Sequence, residues 1–308
     1  MALVLLMLGE GVLISRMPRH EPACPDKKLA RQKGGDDGHS AVLYRRSPGD
    51  SGHTGNSSTF LSVNIKLLMT TQTEKLEAHA SHLLDAFIQL RQRYAILDPM
   101  LFDNTVVATH GSGKKARGFS VLKHSLFLSC AQDIAKLTLD DDPRTPSLSN
   151  NIRALTDDAI RHTLREQFAI WKISLVEEET DTEILEALCR MELREEAQRR
   201  AQFDELYCEA TTLWAALSTN PTTKSFKTIR DRVAAHTEVR LVADKYQFVD
   251  IGTLGIKWGD IKATIEQMQR LVEIIGLLIR NAGFAWDSLD DQLKHASEGF
   301  WGVDDVNH

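Results

Sequence analysis

The chain has 308 residues, enough for one or two domains with a sizeable core, and its 42% hydrophobic and 26% charged residues mark an ordinary globular protein. Net charge is −6, and it is unevenly shared: residues 1–68 carry nine Lys/Arg against six Asp/Glu, so the remaining 28 against 37 leave the rest acidic by nine. That balance excludes a protein that coats nucleic acid with a broad basic face, but it leaves room for a nuclease with a small local basic site.

Cysteine usage narrows the class further. Cys24, Cys130, Cys189 and Cys208 are scattered, with no C-x-x-C pair and no Cys/His cluster at zinc spacing. The pattern predicts neither a disulfide framework nor a structural metal, fits a reducing cytoplasm, and implies no cofactor. The opening stretch from Ala2 to Ile14 is apolar, but it lacks a basic leader, is interrupted by Glu10 and is too short to span a bilayer, so no membrane association is expected.

In chain order, residues 1–68 come first and stand apart. They hold eight of the 18 glycines and four of the eight prolines, no tryptophan, and no periodic pattern. They are expected to be disordered, or an extension outside the functional protein, with Met69 a candidate start. Thr71 and Glu74 then have capping-box spacing, and Leu76, Leu83, Leu84, Phe87, Leu90, Tyr94 and Leu97 recur at helical intervals. A helix is predicted over 74–97, ended by Pro99. A second is predicted over 117–139, with Phe119, Leu122, Leu126, Cys130, Ile134 and Leu137 inward. Asp140 to Pro146 reads as a loop. Asn150 or Asn151 is expected to cap a third helix carrying Ile152, Leu155, Ile160, Leu164 and Phe168.

Asp181 to Leu217 reads as one long helix, charged from Glu192 to Arg200 and apolar at both ends. Asn220-Pro221 breaks it, and a short helix over 224–235 follows. After a loop with Gly252, Gly255 and Trp258, Asp260 is expected to cap a last strong helix bearing Ile261, Ile265, Met268, Leu271, Val272, Ile275, Leu278 and Ile279. No period-two strand and no internal repeat stands out. The prediction is all-α: an antiparallel helical bundle over 69–290 with a long charged helix, a disordered N-terminal tail, and a C-terminal tail over 291–308.

The most suggestive residues are Ile229-Arg230-Asp231-Arg232-Val233-Ala234-Ala235-His236-Thr237-Glu238. They bring a permanent cation close to the side chain that titrates near neutral pH. Spacing alone does not single them out, because an Arg followed by His after four to six intervening residues recurs at Arg46/His53 and at Arg117/His124. The first of these lies in the N-terminal tail and the second in a helix dominated by core positions. Flanking residues favour Arg230 and His236: a polar Asp231 follows the arginine, and small apolar residues precede the histidine.

This stretch resembles the R-x(4–6)-H motif of the HEPN superfamily, in the R-[ND]-[KR]-x-x-A-H form of its abortive-infection AbiU-like branch. Trp258-Gly259-Asp260-Ile261 and the helix order extend the likeness over about Thr71 to Asp290. The resemblance implies a HEPN-type bundle and a metal-independent endoribonuclease acting as a cytoplasmic toxin or phage-defence effector. It implies Arg230, His236 and Asp231 as catalytic, cleavage by 2′-hydroxyl attack, a homodimer with two motifs facing each other, RNA (tRNA among the candidates) as substrate, and an antitoxin protein as a candidate partner. Arg232, Lys227 and Lys224 are the expected RNA contacts.

Geometry bears on dimerisation. On a continuous α-helix six residues at 100° put Arg230 and His236 some 240° apart with ~9 Å of rise, so they would not face one substrate unless the helix ended near Ala235 or a second copy completed the site. The other reading is a non-catalytic helical module that binds nucleotide, RNA or a regulatory protein. Among the remaining motifs, His110-Gly111-Ser112-Gly113-Lys114-Lys115 lacks the first glycine and the Ser/Thr of a phosphate loop, and is expected to be a basic connection between helices. Asp140-Asp141-Asp142 lacks metal partners at ligand spacing, and the tryptophans are expected as core or interface anchors.

Overall fold

A computed structural model describes the backbone over 57–173, 181–234, 239–242, 245–248 and 254–302, and side chains over 72–173, 181–233 and 254–302. The chain divides into two compact units, Met1–Leu68 and Met69–His308. Of the first, residues 57–68 are described, and they are helical. The second unit is a helical bundle, as the period-3.6 patterns predict.

Helix α1 (Ser57–Phe102) buries Leu76, Ala80, Leu83, Phe87, Leu90, Tyr94, Leu97 and Met100, an alternation of threes and fours that keeps one stripe inward. Thr71 is therefore internal to a helix rather than at its start. The predicted stop at Pro99 also fails. Proline has no N–H for the carbonyl four residues back, Ala95, and its ring strains that turn. The last helix, α9 (Trp286–Trp301), compensates: Ser297 Oγ donates to the Ala95 carbonyl at 2.7 Å, and Trp301 Nε1 donates to the Ile96 carbonyl at 3.2 Å. The boundary drawn at 290 falls inside α9, whose Trp286 and Leu289 belong to the core.

Asp103 caps α2 (Asn104–His110) through the N–H groups of Thr105 and Val106; α2 was not foreseen. The stretch from Gly111 to Lys115 is the expected basic connection, with Gly113 at φ +60° and a 3-10 turn over Gly113–Lys115. Then comes α3 (Ala116–Leu139). The predicted third helix is two. Ser147, not Asn150 or Asn151, caps α4 (Leu148–Leu155), and Asp157 accepts from Ala159 and Ile160 N–H to start α5 (Asp158–Ala169). A strong Asx cap at Asp157 outcompetes helix continuation.

Helix α6 (Thr182–Thr219) begins at its Asp181 cap. Its charged middle and the turn after it bridge to neighbours: Arg200 pairs with Glu166, Arg199 Nε donates to the Phe168 carbonyl, and Asp204 pairs with Arg165. The apolar residues before that region do not join the core, since Ile184 and Met191 are about half exposed. Phe203, Ala210 and Leu217 are the buried residues of α6, one per heptad.

Helix α8 (Trp258–Arg280) supplies the centre of the core, and all eight apolar residues expected of it are buried. Its cap residue is Lys257; Asp260 sits at the third position and accepts the Lys257 N–H, the reciprocal half of a capping box. One feature departs from a pure bundle: β1 (Val239–Val242) and β2 (Lys245–Phe248) form an antiparallel hairpin with Val239 opposite Phe248. A two-stranded insert leaves the all-α class unchanged. No described helix is long and apolar enough to cross a membrane.

Candidate functional site

Asn220 ends α6 and caps α7 (Pro221–Thr228), accepting the Thr222 N–H at 2.9 Å, with Pro221 preset for the first helical position. From there burial falls every third residue: Thr223, Phe226 and Ile229 are fully buried, while Lys224 and Lys227 are exposed. The buried row lies against α3, which also packs on the following turn. That turn, Ile229–Ala234, is π-helical. Single π turns widen a helix by one residue and are concentrated at functional sites.

Arg230, Asp231 and Arg232 all lie in this π turn and are partly buried or at its rim. Arg230 Nε donates to Asp231 Oδ1 at 2.7 Å, and Arg230 Nη1 lies 3.8 Å from Asp140 Oδ2. Asp140 is the C-terminal cap of α3; its main-chain carbonyl accepts Ser147 Oγ, and its side chain accepts the Asp142 N–H. The acidic loop is thus a partner of the arginine. Sequence spacing could not show this, because 90 residues separate Asp140 from Arg230.

Two consequences follow for the sequence-derived site. His236 lies outside the described residues. The 240° separation also loses its premise, because a π turn advances less than 100° per residue and the described helical run stops at Ala234. The described backbone therefore sets no requirement for a second copy to complete the site.

Of the two other Arg/His pairs, one lies among the described residues. Arg117 and His124 are exposed on α3, seven residues apart and hence on one face, not among core positions. Apart from Phe119, which packs with Met100 and Val106, the buried stripe of α3 runs from Phe127 through Cys130, Ala131, Ile134 and Ala135.

Electrostatically, the guanidinium of Arg230 is matched by two carboxylates in a partly buried setting. Nε is committed to Asp231, and a guanidinium carries five N–H donors in a planar fork that suits an oxyanion. Held this way, the cation is oriented before any ligand arrives.

The AbiU2 model of the HEPN families (HEPN_AbiU2) matches residues 73–300. The chain belongs to that family. The match extends the likeness read from sequence past Asp290 and takes in α9 almost whole. No curated protein and no solved structure matches the chain.

Proposed function

We propose that this HEPN-family protein is a metal-independent endoribonuclease of the abortive-infection type, a cytoplasmic toxin or phage-defence effector. The observation that carries the reading is Arg230: a partly buried arginine, pre-oriented by Asp231 and Asp140 in a π turn, six residues before His236 in a chain of the AbiU2 family. RNA supplies its own nucleophile in the 2′-hydroxyl. His236 takes or gives the proton of that attack, since an imidazole titrates near the operating pH. Arg230 holds the scissile phosphate and offsets charge in the transition state. Asp231 positions Arg230, and Lys224, Lys227 and Arg232 contribute phosphate contacts. The products are a 2′,3′-cyclic phosphate and a 5′-hydroxyl. A homodimer and an antitoxin partner belong to the same reading.

One observation favours the alternative of a non-catalytic binding module: the charge of Arg230 is already matched within the protomer, so a phosphate must compete with Asp140 and Asp231. The test compares growth arrest and RNA cleavage in EDTA for wild type, Arg230→Ala, His236→Ala and, as a control, the exposed His82→Ala. Loss of both activities in the first two variants alone supports catalysis at this motif. Cleavage that persists in both, or that requires Mg²⁺, overturns it.

A further inference from the structure

Among the described residues, a basic stretch opens α3 at the end remote from the Arg230 turn. From Asn104 to Gln132 there is no Asp or Glu, while Lys114, Lys115, Arg117 and Lys123 fall in that stretch with His110 and His124. All but His110 and Lys123 are exposed. Beside this surface Trp258 opens α8 with 44% of its area in solvent, an unusual place for the largest apolar side chain. The buried ring of Phe127 meets the indole edge-to-face at 4.8 Å between centroids, which fixes its plane. Lys123 Nζ lies 5.6 Å from the indole centroid and 6.0 Å from that of Phe119, placing a cation at the ring. Lys257 and Lys262 are exposed on the same helix start, and the carboxylate of Asp260 is occupied by the Lys257 N–H.

This surface is continuous with the candidate site. Ser225 Oγ donates to the Leu254 carbonyl at 3.3 Å, so the first turns of α7 lie next to the chain entering α8. From Lys123, α3 runs about 26 Å, at 1.5 Å per residue, to Asp140 beside Arg230. Helix α7 packs along it with Lys224 and Lys227 outward.

We propose that this face binds single-stranded RNA, with one base stacked on Trp258 and its phosphates on Lys123, Arg117 and the 114–115 turn, and that the strand leads along α7 toward Arg230. The proposal rests on the reading of RNA as substrate and adds where and in what form it is held. A fixed, half-exposed indole flanked by cations suits a base that has left its stack; a duplex offers no free base face, and an acidic peptide would use the lysines but not the ring plane.

The test is fluorescence anisotropy with a labelled single strand of about ten nucleotides, a typical single-strand site size, in a His236→Ala background. Cleavage is followed separately on gels, so failure of the catalytic reading does not register as failure of binding. Trp258→Ala is expected to weaken binding by roughly 5- to 100-fold with the salt dependence unchanged, as for loss of one stacked base. Trp258→Phe should restore most of it. Lys123→Ala should weaken binding and lower the slope of log affinity against log salt by about 0.7. Circular dichroism confirms that each variant is folded. Binding unchanged in both Trp258→Ala and Lys123→Ala, or equal competition by duplex RNA or polyglutamate, would overturn the proposal.

Discussion

At Pro99 an unusual residue choice is resolved by a partner two hundred residues away. The ring leaves the Ala95 carbonyl without its helical donor, and Ser297 Oγ takes that place at 2.7 Å. Removing the hydroxyl strands a partly buried acceptor, so Ser297→Ala is expected to cost about 1–2 kcal/mol in urea unfolding. In a Pro99→Ala background, where residue 99 has its N–H back, the same change should cost much less. An additive double-mutant cycle would contradict this account of Pro99. Cysteine reactivity separates along the same lines of burial. Cys130 is fully buried and its thiol is pushed up to about 12 by desolvation, with Asp133 adding to the effect, whereas Cys189 and Cys208 are exposed. Peptide-mapped alkylation at pH 8 should label Cys189 and Cys208 in the native protein and Cys130 only after unfolding.

Among elements, α7 is held by very little besides its buried row. It has eight residues, too few to be stable alone, and Phe226 is its one large buried side chain. Phe226→Ala is expected to destabilise by about 3–5 kcal/mol and to loosen the π turn that carries Arg230, which hydrogen exchange at Ile229 would report. Helix α6 is tied differently. Its Glu209 meets Arg270 of α8 through two contacts of 2.7 and 2.8 Å, and this pairing holds the carboxyl below its ordinary range. A lowered carboxylate pKa gives stability that is present above about 4.5 and lost as pH falls. Because both partners are well exposed, Glu209→Gln should cost only about 0.5 kcal/mol at neutral pH, with the gap to wild type closing on acidification. Asp133 runs the other way: burial raises its pKa despite Arg93, so its contribution is greatest at low pH and fades as pH rises through the raised value.

For the whole molecule, the bundle, its core stripes and the basic connection over 111–115 were legible because each depends on local periodicity. Every apolar residue assigned to α8 is buried, and the capped start of α6 at Asp181 appears where the residues predict it. What local pattern misread were places where distant groups change the outcome. Pro99 fails to end α1 because α9 supplies a donor to the freed Ala95 carbonyl and a second to its neighbour at Ile96. Ile184 and Met191 are apolar yet exposed, since no described element covers that part of α6. The helix of the second Arg/His pair is less dominated by core positions than its pattern suggests, since before Phe127 only Phe119 is buried. By itself, then, the sequence determined the long amphipathic helices and the family, since hydrophobic spacing and local motif chemistry are written along the chain. Only the tertiary structure decided that Asp140 faces Arg230, that a π turn presents it, and that Lys123 and Trp258 share one surface. Those pairings join residues 90 and more positions apart, and the burial that enforces them exists only once the helices have packed.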